Sequence, residues 1–168
     1  MAHEQGPLPV PSFTFPSIIG AVAGGIATIP MTIFMLAAHR FLPAWQKDAL
    51  PPEKITGEVA DRTNMDLNKP ELLGATLTAH LGYGASMGSL YSTFAGKLKL
   101  PPLLKGSLFG LGVWAASYMG WLPAGKFLAA GTNETSERNS LMIIAHLIWG
   151  GVTGVVADLL AKQLDANK

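Results

Sequence analysis

Charged side chains are missing from four long stretches of the chain, 5–38, 72–96, 106–125 and 139–157, which run for 34, 25, 20 and 19 residues. Within them the apolar positions do not alternate with a charged face at helical spacing. A helix bordering water carries such a face, whereas about 20 uninterrupted apolar residues suffice to cross a hydrocarbon core of roughly 30 Å. The pattern therefore predicts four membrane-spanning helices, at 17–38, 71–95, 103–122 and 140–161. The expected fold class is all-α: an integral membrane four-helix bundle. A Pro-rich tail at 1–16 precedes a single four-span domain at 17–162, and a polar C-terminal tail follows at 163–168.

The one sizeable polar segment is the loop 40–70. Pro51-Pro52 opens a short helix there, since proline is accepted in a first helical turn. Glu58 and Arg62 are spaced for an i,i+4 ion pair. Ile55 and Val59 form a narrow apolar stripe, which fits a helix lying at the membrane interface; the alternative is a solvated linker with one helical turn.

A doubled motif organises the rest. AHLGYGASMG at 79–88 and AHLIWGGVTG at 145–154 share A-H-L-x-aromatic-G-x-x-x-G, with five of ten residues identical and a sixth aromatic in both. Span one carries Gly20-x-x-x-Gly24 and span three carries Gly106-x-x-x-Gly110. The spans end near Phe41-Leu42-Pro43 and Trp121-Leu122-Pro123 respectively. The unit is a hairpin, a small-residue helix followed by an A-H-L helix, and it occurs twice in tandem. Residues four apart share a helix face, so Gly20, Gly24, Gly84, Gly88, Gly106, Gly110, Gly150 and Gly154 are the expected helix-packing positions, where the lack of a side chain lets backbones approach.

The same spacing places His80 and His146 on these packing faces. An ionisable group inside a membrane is a functional candidate. Two facing imidazoles suit axial ligation of a haem b iron or proton and ion transport; the alternative is a hydrogen bond across a helix contact. Two histidines are too few for a metal site, and none is assigned. No cofactor is assigned either, haem b on His80 and His146 being the alternative. Pro30 interrupts span one, with Thr28 and Thr32 beside it as substitute donors to the freed carbonyl. Asp158 and Lys162 are spaced as an i,i+4 pair.

Composition narrows the classes further. Twelve basic and eleven acidic residues leave a net charge of +1, which gives no footprint for nucleic acid. Without cysteine there is no disulfide, thiolate site or cysteine nucleophile. No P-loop, G-x-S-x-G or H-E-x-x-H occurs, so the expectation is a non-enzymatic protein.

The strings HLGYG (80–84), WAASYMGWLP (114–123) and AHLIWG (145–150) resemble the YagU-like small bacterial inner-membrane proteins of unknown function. That resemblance implies a multi-pass protein of the bacterial cytoplasmic membrane and brings no catalytic or binding residues with it. The expected role is a structural or interaction subunit, its partners the lipid bilayer and either itself or a larger membrane complex. His-based transport or haem binding is the alternative.

Overall fold

Each long element starts where the sequence supplies a proline or a cap. In the computed structural model, which describes residues 14–166, α1 (Thr14–His39) leads through a 3-10 turn (Ala44–Gln46) to α2 (Pro51–Arg62). Next come α3 (Lys69–Ala95) and α4 (Pro102–Ala116). A wide π turn (Ser117–Trp121) extends α4 into the single turn α5 (Leu122–Ala124). A 3-10 turn (Gly131–Asn133) then precedes α6 (Ser136–Ala166). No strand occurs among the described residues. Residues 1–13 of the expected Pro-rich tail lie outside the described residues, as do the last two of the C-terminal segment.

Local chemistry accounts for the boundaries. Prolines fill the first turns of α2, α3 and α4, where their missing N–H costs nothing. Asn68 and Glu71 form a reciprocal capping box at α3: the Glu71 N–H donates to Asn68 Oδ1 at 3.1 Å, and the Asn68 N–H donates to the Glu71 carboxylate at 2.9 Å. α2 ends with Asn64 in the left-handed region (φ 55°), and the Met65 N–H returns to the Ala60 carbonyl at 2.9 Å.

The all-helical class holds, and the four-span expectation is met only in part. Among the described residues two helices are long and apolar enough to cross a membrane, Pro16–His39 and Ser136–Ala166. α3 is 27 residues long, but its many Gly, Ser and Thr positions dilute its hydropathy. α4 keeps α-helical geometry for only 15 residues before the π turn, where Gly120 leaves helical backbone angles altogether. An apolar run in the sequence does not register such a break.

Glycine packing fixes how the helices pair. α1 lies antiparallel against α3. A Cβ added at Gly20 would strike the Gly88 carbonyl, one at Gly24 would strike the Gly84 carbonyl, and one at Gly88 would come within 2.7 Å of the Gly24 Cα. α4 meets α6 in the same way, with Gly106 over the Gly150 carbonyl and Gly110 over the His146 carbonyl. The two pairs are out of register by one turn: the equivalent of the Gly20–Gly88 contact would put Gly106 on Gly154, whereas Gly154 sits on the Pro102 carbonyl. Four residues of slip amount to about 6 Å along the axis.

α1 and α6 form the centre, joined where the Trp149 indole N–H donates to the Gly24 carbonyl at 3.0 Å. α3 and α4 flank them and meet each other largely through side chains, Tyr83 with Trp121 and Tyr91 with Phe109. The larger apolar core, around Met35, Trp114, Leu122 and Trp149, sits toward the α2 end.

Substitution should separate these packing glycines from the outward ones. Gly110→Val is expected to destabilise the bundle by about 2–3 kcal/mol, because the obstacle is backbone and cannot rotate away. Gly112→Ala meets nothing within 4 Å and should be neutral or stabilising by up to about 1 kcal/mol. Thermal unfolding of both variants in one detergent, followed by circular dichroism, checks this; equal losses would refute the packing account.

Candidate functional site

Where the helices widen beyond the glycines, a cavity of about 240 Å³ opens among all four long helices. Both sequence-identified histidines line it. His80 reaches it from α3, beside Tyr83. His146 reaches it from α6, one turn beyond Met142 and one before the Trp149 region. α1 contributes Thr28, Met31 and Met35, and the α4 side contributes Val113, Ser117 and Tyr118. No Asp, Glu, Lys or Arg is on the wall.

Hydrogen-bond partners assign the tautomer of each imidazole. His146 Nδ1 lies 2.8 Å from the Met142 carbonyl, which can only accept, so Nδ1 carries the proton. His80 Nδ1 lies 3.3 Å from Thr32 Oγ1. Thr32 spends its own proton on the Thr28 carbonyl at 2.8 Å, so here too Nδ1 donates. In the neutral form each ring therefore keeps a bare Nε2, and neither Nε2 has a hydrogen-bond partner among the described residues. His146 is buried and stacks edge-on against Tyr118, with ring centres 5.9 Å apart; His80 is half-buried.

Several other donors on or beside the wall are also committed. Thr28 Oγ1 donates to the Gly24 carbonyl at 2.9 Å, so Thr28 and Thr32 serve the Gly24 and Thr28 carbonyls rather than the Ile26 carbonyl that Pro30 frees. Tyr83 and Ser117 share a hydroxyl–hydroxyl bond of 3.0 Å between α3 and the π turn. His39, the remaining histidine among the described residues, does not line the cavity; its Nε2 meets the Asp48 carbonyl at 2.9 Å.

The roof is α2, which places Pro51, Pro52, Ile55 and Thr56 over the cavity. Two arginines fasten it and the segment that leads into it. Arg62 donates to the Gly125 carbonyl at 2.8 Å and the Lys126 carbonyl at 3.1 Å, pairs with Glu58 at 2.8 Å, and lies 4.4 Å above the Phe127 ring. Arg138, from the start of α6, donates to the Gln46 carbonyl at 2.6 Å, and the Gln46 amide donates to Glu137 at 3.2 Å. The expected Asp158–Lys162 pair is also present, at 2.8 Å.

Sequence reasoning found the two histidines and missed the methionines, the roof and its arginine clamps. The i,i+4 pairs Met31/Met35 and Met142/His146 were available as a signal of shared faces. The Arg contacts join residues 63 to 92 positions apart and leave no local trace. No protein family, characterised protein or solved structure matches the chain.

Loss of one clamp should loosen the roof selectively. Arg62→Ala is expected to raise amide hydrogen exchange across α2 about five- to tenfold, the equivalent of 1–1.4 kcal/mol for charge-assisted bonds at a half-exposed site. Exchange in the centres of α1 and α6 should stay unchanged. Mass-spectrometric exchange tests this, and uniform acceleration along the chain would contradict the clamp.

Proposed function

We propose that this chain is a small, non-enzymatic, multi-pass protein of the bacterial cytoplasmic membrane that holds a small molecule in the cavity between His80 and His146. The convergence of two equivalent motif histidines on one apolar cavity carries this reading. A dry cavity of about 150 Å³ already admits benzene, and this one is larger, at about 240 Å³. It falls below the roughly 300–1,000 Å³ of ordinary small-molecule sites, which favours a compact ligand over a porphyrin. Ion transport draws less support. The wall carries no carboxylate, and beyond Gly24 and Gly84 the backbones close against each other.

The membrane part of the proposal rests on the outer surface. Ile18, Ile29 and Ile33 on α1, Leu73 on α3, Leu103 on α4 and Leu159 on α6 all expose more than half of their surface. Apolar faces this extensive are unusual on a protein surrounded by water. They occur on α3 and α4 as well as on the two helices that meet the length and hydropathy criteria for crossing. The bacterial setting rests on the resemblance of the strings HLGYG, WAASYMGWLP and AHLIWG to YagU-like proteins.

A second reading, association with another copy or a larger membrane complex, has one observation in its favour. The packing glycines are occupied internally, but α3 also turns Gly74, Thr78, Gly82 and Ser86 outward at four-residue spacing, with open space beside both glycines. Small residues at that interval suit a close helix contact in lipid.

Two measurements test these readings. Fluorobenzene should bind saturably to the protein in nanodiscs, as followed by fluorine NMR, and Val113→Phe should remove that component by filling the cavity; purely linear partitioning would sink the cavity proposal. For association, light scattering in detergent should give a dimer or larger species that Gly82→Leu converts to monomer. A wild-type monomer at all concentrations would count against it.

A further inference from the structure

Building on the cavity reading, the inventory of free lone pairs and committed protons narrows the chemistry of the ligand. Thr28, Thr32 and Thr56 each spend their hydroxyl proton on a backbone carbonyl within 2.9 Å. The Trp149 N–H is held by the Gly24 carbonyl, and both histidine Nδ1 protons have partners. Tyr83 and Ser117 use one of their two protons on each other. Beside the Tyr118 hydroxyl and the Trp121 N–H, which are on the wall and make no hydrogen bond among the described residues, the cavity offers two Nε2 lone pairs, one from α3 and one from α6. A ligand bearing only carbonyl or ether oxygens would leave both Nε2 atoms without a donor. One that brings an O–H group satisfies one of them, and one that brings two satisfies both.

Charge and shape restrict the class again. With no ionised side chain on the wall, an ionic ligand would be desolvated without a counter-charge. The wall carries the rings of Tyr83, Tyr118, Trp121 and Trp149 and the thioethers of Met31, Met35 and Met142. Sulfur and aromatic edges pack favourably against a further ring. We propose that the His80–His146 cavity binds an uncharged, single-ring hydroxylated aromatic, a phenol or hydroquinone, each of whose O–H groups donates to one histidine Nε2 atom, a phenol engaging one and a hydroquinone both. The assignment follows from three observations taken together: bare acceptors, an uncharged wall and a volume suited to one ring.

The test uses the full chain in nanodiscs and three matched probes, 4-fluorophenol, 4-fluoroanisole and fluorobenzene, followed by fluorine NMR. In the wild type 4-fluorophenol should bind about fivefold or more tighter than 4-fluoroanisole, the gain expected of a net hydrogen bond. Nitrogen-15 NMR should show the Nε2 resonance of His80 or His146 moving with 4-fluorophenol and neither moving with fluorobenzene. In the His80→Ala/His146→Ala variant the phenol preference should fall to about one while fluorobenzene still binds. Equal wild-type affinities for the phenol and the anisole would overturn the donor assignment and leave the cavity reading standing. A preference that survives both substitutions would overturn it too. Saturable binding by none of the three probes would instead remove the cavity reading itself. The wild-type comparison needs no variant to fold.

Discussion

Backbone-to-backbone contact at glycine is the constraint from which the rest of this structure follows. At Gly20, Gly24 and Gly88, and again at Gly106, Gly110, Gly150 and Gly154, the nearest neighbour of a would-be Cβ is a backbone carbonyl of the facing helix. No side chain can be inserted there without parting the helices, so each hairpin is held at one separation. Toward the α2 end the same faces carry larger residues: Thr28, Met31 and Met35 on α1, and His80 and Tyr83 on α3. The helices must diverge there, and the cavity occupies the space they leave. It is a product of the taper from glycine to bulky side chains rather than of missing atoms in an otherwise filled core.

The one-turn slip explains why two histidines in matching sequence contexts have different surroundings. In the α4–α6 pair the His146 carbonyl is itself part of the tight contact, lying over Gly110. In the α1–α3 pair the tight contact ends one turn earlier, with Gly24 over the Gly84 carbonyl; the next position on α1 is Thr28, which is too large for the same approach. His146 is therefore deeply buried and satisfies Nδ1 on its own helix, at Met142. His80 is half-buried and takes its partner from α1, at Thr32. Identical residues in a repeat reach a common tautomer by separate routes, and it is the register of the backbones that separates them.

Much of the architecture was legible in the sequence because it depends on local pattern. Charge-free runs marked the four long helices, the paired G-x-x-x-G spacings marked their facing sides, and i,i+4 spacing anticipated Glu58–Arg62 and Asp158–Lys162. Glu71 shows the limit of that reading. It stands nine residues before His80, as Glu137 does before His146, which looks like part of the repeat, yet its role is the capping box with Asn68. Glu137 instead accepts from Gln46. What stayed hidden was long-range or geometric. The slip depends on three-dimensional fit between faces of similar composition. The π turn at Ser117 lies within an unbroken apolar run. The clamps of Arg62 and Arg138 act on carbonyl oxygens, which every residue possesses and no pattern distinguishes.

The departures from symmetry also account for one site where a doubled hairpin would otherwise suggest two. α1 and α6 pack closely, whereas the pair that a twofold axis would match to them, α4 and α3, touches largely through rings. The opening thus lies on one side, and both histidines turn into the same space. Only the first hairpin connection contains a helix, α2, long enough to cover it. The second connection supplies anchorage instead: its Gly125 and Lys126 carbonyls receive Arg62. Lys126 adopts the left-handed conformation (φ 58°) that ends α5, which leaves those two carbonyls free of helical partners and turned to the arginine. The two halves have become complementary, one the roof and the other its fastening, and the histidines they share lie beneath.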